Sequence, residues 1–232
     1  MGNYVNKIAV ICLPFLLARL FQKTLGLACG FFFIASLSAF AQNSPDQPIA
    51  DWPSFKKQFA TESLRLLSIR CDFTQEKILS ALTEKITSTG KFWFKRSNKV
   101  RMEYTHPFFY LMIMNGDKML VRDDQKENRI TIKSNKLLQH VNRIIIDCVQ
   151  GTILESKDFS VNVFENDKTF LLVMTPLSKT LAEFFKNIRV RVEKKDYSVQ
   201  SIEMNEPLGD RTTILFTGKT LNEQLADAMF AL

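Results

Sequence analysis

Apolar residues recur along the chain with two different spacings, and the first is helical. From residue 52 to residue 68 they follow one face of a helix, at Trp52, Phe55, Phe59 and Leu66. Asp51 and Pro53 supply a cap and a first turn for this segment. The sequence therefore predicts one amphipathic helix ahead of the rest of the domain.

After that helix the period changes to two. Apolar and charged side chains alternate in three successive segments, Ile69-Cys71-Phe73, Ile86 to Phe94 and Val100-Met102-Tyr104. Such alternation is typical of half-buried antiparallel strands. The apolar run Phe109–Met114 leads into Asn115-Gly116-Asp117, a strong hairpin signal, and the meander is predicted to continue to Ile132.

A second helix is predicted between Ser134 and Gly151. Two apolar stripes run along it, made of Leu137, Val141, Ile144 and Cys148, and of Leu138, Ile145 and Val149. This is more apolar surface than a solvated helix needs. Ser134 or Asn135 can cap its start, and Gly151 can end it.

Strand patterns resume at Phe159 and continue to Phe216, giving about ten strands in all. The last segment, Leu221–Leu232, is predicted to be a short helix or an extended tail that packs on an edge. Strands and helices do not alternate along the chain. The predicted fold is therefore a single domain over residues 51–232, with a strongly curved antiparallel sheet and helices against one face.

The N-terminal segment has the features of a cleavable signal peptide. Residues 1–41 contain Lys7, Arg19 and Lys23 but no acid, then an apolar stretch to Leu37 and the site Ala39-Phe40-Ala41. Cleavage would leave a mature chain that starts at Gln42, with residues 42–50 as a polar tether. A membrane anchor is the alternative, but the apolar stretch is shorter than the roughly 20 residues that a spanning helix needs.

Export changes how the charge is interpreted. The formal charge of +7 and the pI of about 9.2 could indicate nucleic-acid binding, but removing three basic residues leaves +4. An exported chain rarely meets nucleic acid, so no nucleic-acid partner is expected. The basic surplus is better explained as a solvated surface or as one that faces an anionic membrane.

Few residues are candidates for covalent or catalytic chemistry. Cys71 and Cys148 are the cysteines beyond the signal peptide, and either a disulfide or two buried thiols would fit an oxidising compartment. The histidines, His106 and His140, fall on a predicted turn and on the second helix. No nucleophile, phosphate-loop or metal-spaced motif occurs. We therefore expect a protein that is not an enzyme and that needs no cofactor and no metal.

Four segments in order carry a resemblance to a known family. They are Phe73-Thr74-Gln75, Gly90-Lys91-Phe92-Trp93-Phe94-Lys95-Arg96, Tyr104-Thr105-His106-Pro107 and Met114-Asn115-Gly116-Asp117-Lys118. Together with the stretch Asn222 to Phe230, they resemble the LolA family of periplasmic outer-membrane lipoprotein carriers from about Trp52 to the end. One departure is that Ser97 stands where the family usually has proline, so the rim of the cavity is expected to differ from that of the family.

The resemblance implies a fold, a cargo and partners. The fold is an unclosed antiparallel β-barrel, or half-barrel, covered by a helical lid. The cargo is the acyl chains of lipoproteins, the donor is an ABC transporter in the inner membrane, and the acceptor is a receptor or the outer membrane itself. The carrier is expected to be a periplasmic monomer.

Two sets of site residues follow from the pattern and the resemblance. The predicted acyl-chain cavity consists of Phe73, Phe92, Phe94, Val100, Met102, Leu111, Ile113, Leu137, Val141, Ile144 and Ile145. Arg96 has the parity of Phe92 and Phe94, so its charge lies at the end of the apolar face. The family's arginine at this position bonds lid residues, which makes Arg96 the candidate latch, although it could also extend to solvent at the rim.

Three interpretations of the apolar face remain open. An ordinary packed core needs no ligand at all. A related carrier could hold another amphiphile, such as a lipid or a pigment lipid. A binding module of the same fold could act in envelope stress by docking a membrane partner.

Overall fold

A computed structural model describes residues 45–80, 84–134 and 136–232. The predicted signal peptide, its cleavage site and the predicted mature start at Gln42 lie outside these residues. Across the described ranges, no helix combines the length and the apolar character needed to cross a membrane.

The six strands that follow the first helix form a continuous meander, as the alternation predicts. Helix α1 spans Trp52–Arg65 and helix α2 spans Lys136–Gln150. The strands up to α2 are β1 (Gln47–Pro48), β2 (Ser68–Leu79), β3 (Glu84–Lys95), β4 (Lys99–His106), β5 (Tyr110–Asn115), β6 (Lys118–Asp123) and β7 (Glu127–Thr131).

Five further strands follow α2. They are β8 (Phe159–Glu165), β9 (Thr169–Pro176), β10 (Asn187–Glu193), β11 (Val199–Asn205) and β12 (Arg211–Leu221). Helix α3 (Lys179–Ala182) lies between β9 and β10. Short 3₁₀ turns cover Ile132–Ser134, Thr152–Glu155 and Asp227–Phe230.

In the described residues, all twelve strands belong to one sheet with the order β1-β8-β9-β10-β11-β12-β2-β3-β4-β5-β6-β7. Neighbouring strands are antiparallel, and β12 joins the two halves by pairing with β2, with Phe216 opposite Phe73. The edge strands β1 and β7 do not pair with each other, so the barrel is open on one side. The predicted fold class, a half-barrel with helices, is confirmed.

Helix α1 begins as its sequence predicts. The side chain of Asp51 accepts a hydrogen bond of 3.0 Å from the backbone N–H of Ser54, and Pro53 occupies the first turn, where its missing N–H costs nothing. The helix ends at Arg65, a few residues before the predicted boundary. Phe55 and Phe59 are buried against the concave face of the sheet, and the rings of Phe55 and Phe170 are 4.6 Å apart.

The predicted polar tether is not a free linker over its described part. Gln47 and Pro48 pair with β8, which makes β1 an edge strand of the sheet. Asp46 accepts two hydrogen bonds from the Arg191 guanidinium, at 3.0 and 2.9 Å. The tether prediction for these residues is wrong, because polar composition does not show that a short segment can pair with an edge.

The C-terminal segment covers the outer, convex face of the sheet, and this differs from the predicted packing on an edge. Leu225 and Phe230 bury themselves against Trp93, Leu111 and Leu120, and Phe230 is fully buried. The segment thus creates a second, smaller core on the outside of the half-barrel.

Two lysines hold this segment in place. Lys95 donates hydrogen bonds of 2.7 Å to both the Leu225 carbonyl and the Asp227 carboxylate, and Lys99 donates one of 2.9 Å to the same carboxylate. These contacts lower the pKa of Asp227 to about 2. Asp227 therefore stays ionised over the whole physiological range.

Candidate functional site: the interior of the half-barrel

The concave face brings together most of the predicted cavity residues on the sheet. Phe73, Phe94, Val100 and Met102 are buried with no more than 7% of each residue exposed, and Phe92 packs against the same cluster while partly exposed. They belong to adjacent strands β2, β3 and β4, where Phe94 lies opposite Val100 and Phe92 opposite Met102. The interior is therefore a continuous apolar surface.

For two of the predicted cavity residues the prediction is wrong, because they lie on the convex face of the sheet and not on the interior face. Leu111 and Ile113 point to the convex side, where they join the outer core under the C-terminal segment. Their neighbours Tyr110, Met112 and Met114 face the interior instead. The run Phe109–Met114 is apolar on both faces because both faces are covered, so its parity could not be read from hydrophobicity alone.

Methionines are frequent on the interior surface. Met102, Met112, Met114 and Met119 meet across β4, β5 and β6, where Met102 lies opposite Met112 and Met114 opposite Met119. Unbranched thioether side chains adopt many rotamers and fill irregular spaces. This part of the interior can therefore change shape at low cost.

Helix α2 lies over the interior but is less deeply buried than α1. Leu138 is buried, whereas Ile144, Ile145 and Cys148 are only half-buried while they pack against the main core. Leu137 and Val141 also lie on this helix, but their side chains are outside the described part of the chain. The apolar stripe of α2 therefore makes a partial contact with the sheet.

Helices α1 and α2 contact each other near their C-terminal ends. Gly151, which ends α2 with φ of +74°, packs against Ser63 and Ala60 of α1. On the other side, His140 Nδ1 lies 3.3 Å from Asp158 Oδ2 and Arg143 lies 3.8 Å from the same atom. Helix α2 is thus fixed by polar contacts to the segment before β8 and by close packing at Gly151.

Arg96 connects the end of β3 to the end of α1. Its guanidinium donates hydrogen bonds to the backbone carbonyls of Ser63 at 2.7 Å, Leu64 at 2.8 Å and Leu66 at 2.9 Å. The last carbonyls of a helix lack intrahelical partners and carry partial negative charge, so a cation stabilises them. Arg96 therefore restrains the end of α1. The predicted latch joined Arg96 to the lid, and among the described residues its side-chain hydrogen bonds go to this helix end and not to α2.

Cys71 and Cys148, the cysteines in the part of the chain that the structure describes, are free thiols. Burial raises the pKa of Cys71 to about 12, and burial likewise raises the pKa of Cys148 to about 12. Cys71 lies on β2 among the interior residues, and Cys148 lies on α2 facing the same core. Of the two alternatives left by the sequence, the structure has free thiols and no disulfide between these two residues, with Cys71 buried and Cys148 half-buried.

A polar group inside the half-barrel was not predicted as part of the site. Gln75 is fully buried on β2, with the same parity as Phe73, and its side-chain oxygen accepts a hydrogen bond of 2.9 Å from the Tyr104 hydroxyl. Ser88 lies opposite Gln75 on β3 and is also buried. The available signal was a polar residue in an otherwise apolar row, at positions 69, 71, 73 and 75.

Comparisons with known proteins identify the family to which the chain is similar. Residues 65–232 match the family described as "Outer membrane lipoprotein carrier protein LolA". An outer-membrane lipoprotein carrier protein of Cupriavidus taiwanensis is 26% identical over 200 residues, covering 84% of this chain and 89% of its own. Its counterpart in Azotobacter vinelandii is 25% identical over 167 residues, covering 72% of this chain and 77% of its own.

Among solved structures, a LolA superfamily protein of Nitrosomonas europaea covers 76% of this chain and 97% of its own, with a TM-score of 0.40 and 11% identity. The family match spans well over half of the chain and includes every strand from β2 to β12, whereas β1 and nearly all of α1 precede it. This chain belongs to the LolA family of outer membrane lipoprotein carrier proteins.

Proposed function

We propose that this protein is a periplasmic carrier that takes up the acyl chains of lipoproteins released from the inner membrane and delivers them to the outer membrane. The relatives named above are outer-membrane lipoprotein carriers, and the sheet of this chain, from β1 to β12, is an open half-barrel. In this proposal an inner-membrane ABC transporter is the donor, and a receptor or the outer membrane is the acceptor.

The observation that carries the proposal is the unequal burial of the two helices. Phe55 and Phe59 fix α1 deep in the interior, with 3% and 2% exposed, and Arg96 holds its C-terminus. The described apolar residues of α2 beyond Leu138 are only half-buried. Helix α2 is therefore the part of the lid that can move away from the sheet while α1 stays in place, once the contacts of His140 and Arg143 with Asp158 break.

Opening α2 would expose an apolar surface suited to acyl chains. Each buried methylene group contributes about 0.8 kcal/mol, so a few chains that are half covered by protein are held firmly against water. The interior methionines can adapt to chains of different length. An acyl chain also replaces the contacts that α2 gives up, which keeps the energetic cost of opening small.

Binding of a fluorescent fatty-acyl probe and its displacement by a triacylated peptide would test the proposal. Ile145→Asn places an amide in the stripe of α2, so it should weaken probe binding by about tenfold or more. Lys57→Asn, which places the same amide on the exposed face of α1, is the matched control and should bind as the unmodified protein does.

Failure of both probe and peptide to bind at micromolar concentration would contradict the proposal and favour a packed core. Binding of the probe without displacement by the triacylated peptide would instead favour a carrier of another amphiphile. Mass spectrometry of the molecules that co-purify with the periplasmic protein would identify the cargo directly.

A further inference from the structure

The apolar row on the interior of β2 ends in polar residues. Ile69, Cys71 and Phe73 face the interior, and the next residues of the same parity are Gln75 and Lys77. Lys77 forms an ion pair of 3.3 Å with Glu206. Gln75 is 0% exposed and its cross-strand neighbour Ser88 is 1% exposed, so both lie deep inside the protein.

The hydrogen bonding of this pair is incomplete. The Tyr104 hydroxyl donates to Gln75 Oε1 at 2.9 Å, which fixes the amide and turns Nε2 toward a different side. Neither Gln75 Nε2 nor Ser88 Oγ has a hydrogen-bond partner among the residues that the structure describes. Buried polar groups in folded proteins are nearly always paired, so two adjacent unpaired ones need an explanation.

We propose that Gln75 and Ser88 form a polar subsite that binds the carbonyl oxygen of an acyl ester in the cargo. This inference rests on the proposed function, because the ester must reach the interior together with its acyl chain. Side chains of directly opposite residues on neighbouring strands lie within about 5.5 Å of each other, so both groups can donate to one carbonyl or to two from the same molecule.

The residues around Gln75 and Ser88 determine which chemical group can bind there. Phe73, Ile214 and Tyr104 flank the pair, so the bound group must be apolar on most sides and must offer an acceptor. An anionic headgroup would need an opposite charge to be buried there, and the nearby Lys77 is already paired with Glu206. An ester carbonyl between methylene groups meets both requirements.

The ester contribution can be isolated with two ligands that differ only in the carbonyl groups. A short-chain 1,2-diacylglycerol and the 1,2-dialkyl ether of glycerol with equal chain length would each compete with a fluorescent fatty-acyl probe. The unmodified protein should prefer the ester by about tenfold, as expected for one to two buried hydrogen bonds.

Removing the donors should abolish this preference without weakening the apolar contacts. In Gln75→Leu and in Ser88→Ala the ester-to-ether ratio should fall to about one, while the affinity for the ether changes by less than about twofold. Ser160→Ala, at an exposed serine on β8, is the matched control and should keep the preference. Ser88→Ala removes one hydroxyl group only, so it keeps the test decisive if Gln75→Leu does not fold.

The outcomes separate this inference from the proposed function. Equal affinity for ester and ether in the unmodified protein would overturn the inference and indicate that the two groups bind water. A preference that persists in both variants would overturn it as well. If neither ligand binds, the proposed function is contradicted, and the subsite with it.

Discussion

Gly151 packs so closely against Ser63 that a Cβ atom at position 151 would lie 2.7 Å from the Ser63 hydroxyl oxygen. The backbone of Gly151 also has φ of +74°, which a residue with a side chain adopts only with strain. The end of α2 therefore rests directly on the last turn of α1, whose carbonyl at Ser63 is bonded by Arg96.

Gly151→Ala should destabilise the protein by about 1–3 kcal/mol, because it adds both backbone strain and a steric clash with α1. Gly116→Ala is the matched control: Gly116 has φ of +62°, but nothing lies within 4 Å of an added Cβ. Urea unfolding of both variants would separate the two effects. Equal losses of stability would show that the contact with Ser63 has no energetic role.

Arg96→Leu should slow the release of cargo while leaving loading intact. Although α1 stays in place when α2 opens, the end of α2 rests on the last turn of α1, and Arg96 bonds the Ser63 carbonyl of that turn. Without Arg96 this turn loses the hydrogen bonds that hold it as the support of α2. A hydrogen bond from a charged donor contributes about 1.5–3 kcal/mol, so the open state should be favoured by up to roughly ten- to a hundredfold. The open state holds cargo, so transfer from the loaded protein to vesicles or to a receptor should slow accordingly.

The control for that experiment is Arg129→Leu, which removes an exposed charge on β7 and should leave transfer unchanged. If Arg96→Leu transferred cargo at the unmodified rate, Arg96 would only cap helix α1, and the latch would have to be sought in other contacts of the lid.

Thiol labelling should report the opening of α2. With a pKa of about 12, each cysteine is almost entirely protonated at pH 8, so both should react slowly in the folded protein. Cys148 on α2 should nevertheless react at least about tenfold faster than Cys71, because local opening needs less free energy than disruption of the sheet. Cys71→Ala and Cys148→Ala give single-thiol proteins in which each rate can be measured alone.

Equal labelling rates, both matching the rate of global unfolding, would mean that α2 does not open independently. A rate for Cys71 above that for Cys148 would place the mobile part of the molecule in the sheet.

Acid should release the C-terminal segment from the convex face. The Lys95 and Lys99 ammonium groups hold the pKa of Asp227 at about 2, below its ordinary 3.8, so the folded state favours the carboxylate. This stabilisation is present above about pH 4 and is lost as the pH falls toward 2. Emission from Trp93, which lies under the segment, would follow the change in a Trp52→Phe background.

Asp227→Asn should shift the Trp93 emission to longer wavelength already at neutral pH, because both lysine contacts are weakened. Asp124→Asn also removes one negative charge, in the turn between β6 and β7, and it should leave the Trp93 emission unchanged. An unchanged spectrum in Asp227→Asn would show that the segment is held without the carboxylate, by the burial of Leu225 and Phe230 and by the hydrogen bonds that Arg101 and Asn115 donate to its backbone.

Export makes one prediction about the N-terminus. Because Ala39-Phe40-Ala41 has small residues at the positions that signal peptidase requires, the mature protein is expected to begin at Gln42. Intact mass of the periplasmic protein would decide this. Gly26-Leu27-Ala28-Cys29 superficially resembles a lipidation site. A species that retains Cys29 with added acyl mass would therefore contradict both the cleavage site and the proposed soluble carrier.

The sequence predicted the elements well where one face of a strand is apolar and the other polar. On β4, Val100 and Met102 alternate with Arg101 and Glu103, so the inward face was unambiguous. On β5 the alternation disappears, because Leu111 and Ile113 are needed for the outer core. Periodicity identifies a buried face only where the opposite face is exposed.

Partners of individual side chains were harder to predict than faces. The parity of Arg96 placed it at the end of the apolar row, but the carbonyls it bonds belong to a helix end 30 or more residues earlier. Gln75 was visible as part of a motif, yet its burial and its unpaired nitrogen depend on how Tyr104 and Ser88 approach it. Such contacts are set by tertiary packing, which local sequence does not specify.

The two margins of the open sheet also bear on solubility. A sheet that does not close presents unpaired backbone groups, which other chains can extend into aggregates. At one margin Pro48 has no N–H to offer, and strand β1 has only two residues. At the other, β7 carries the exposed charged side chains of Glu127 and Arg129. Neither margin is a good template for a further strand, so the half-barrel can remain open without inviting polymerisation.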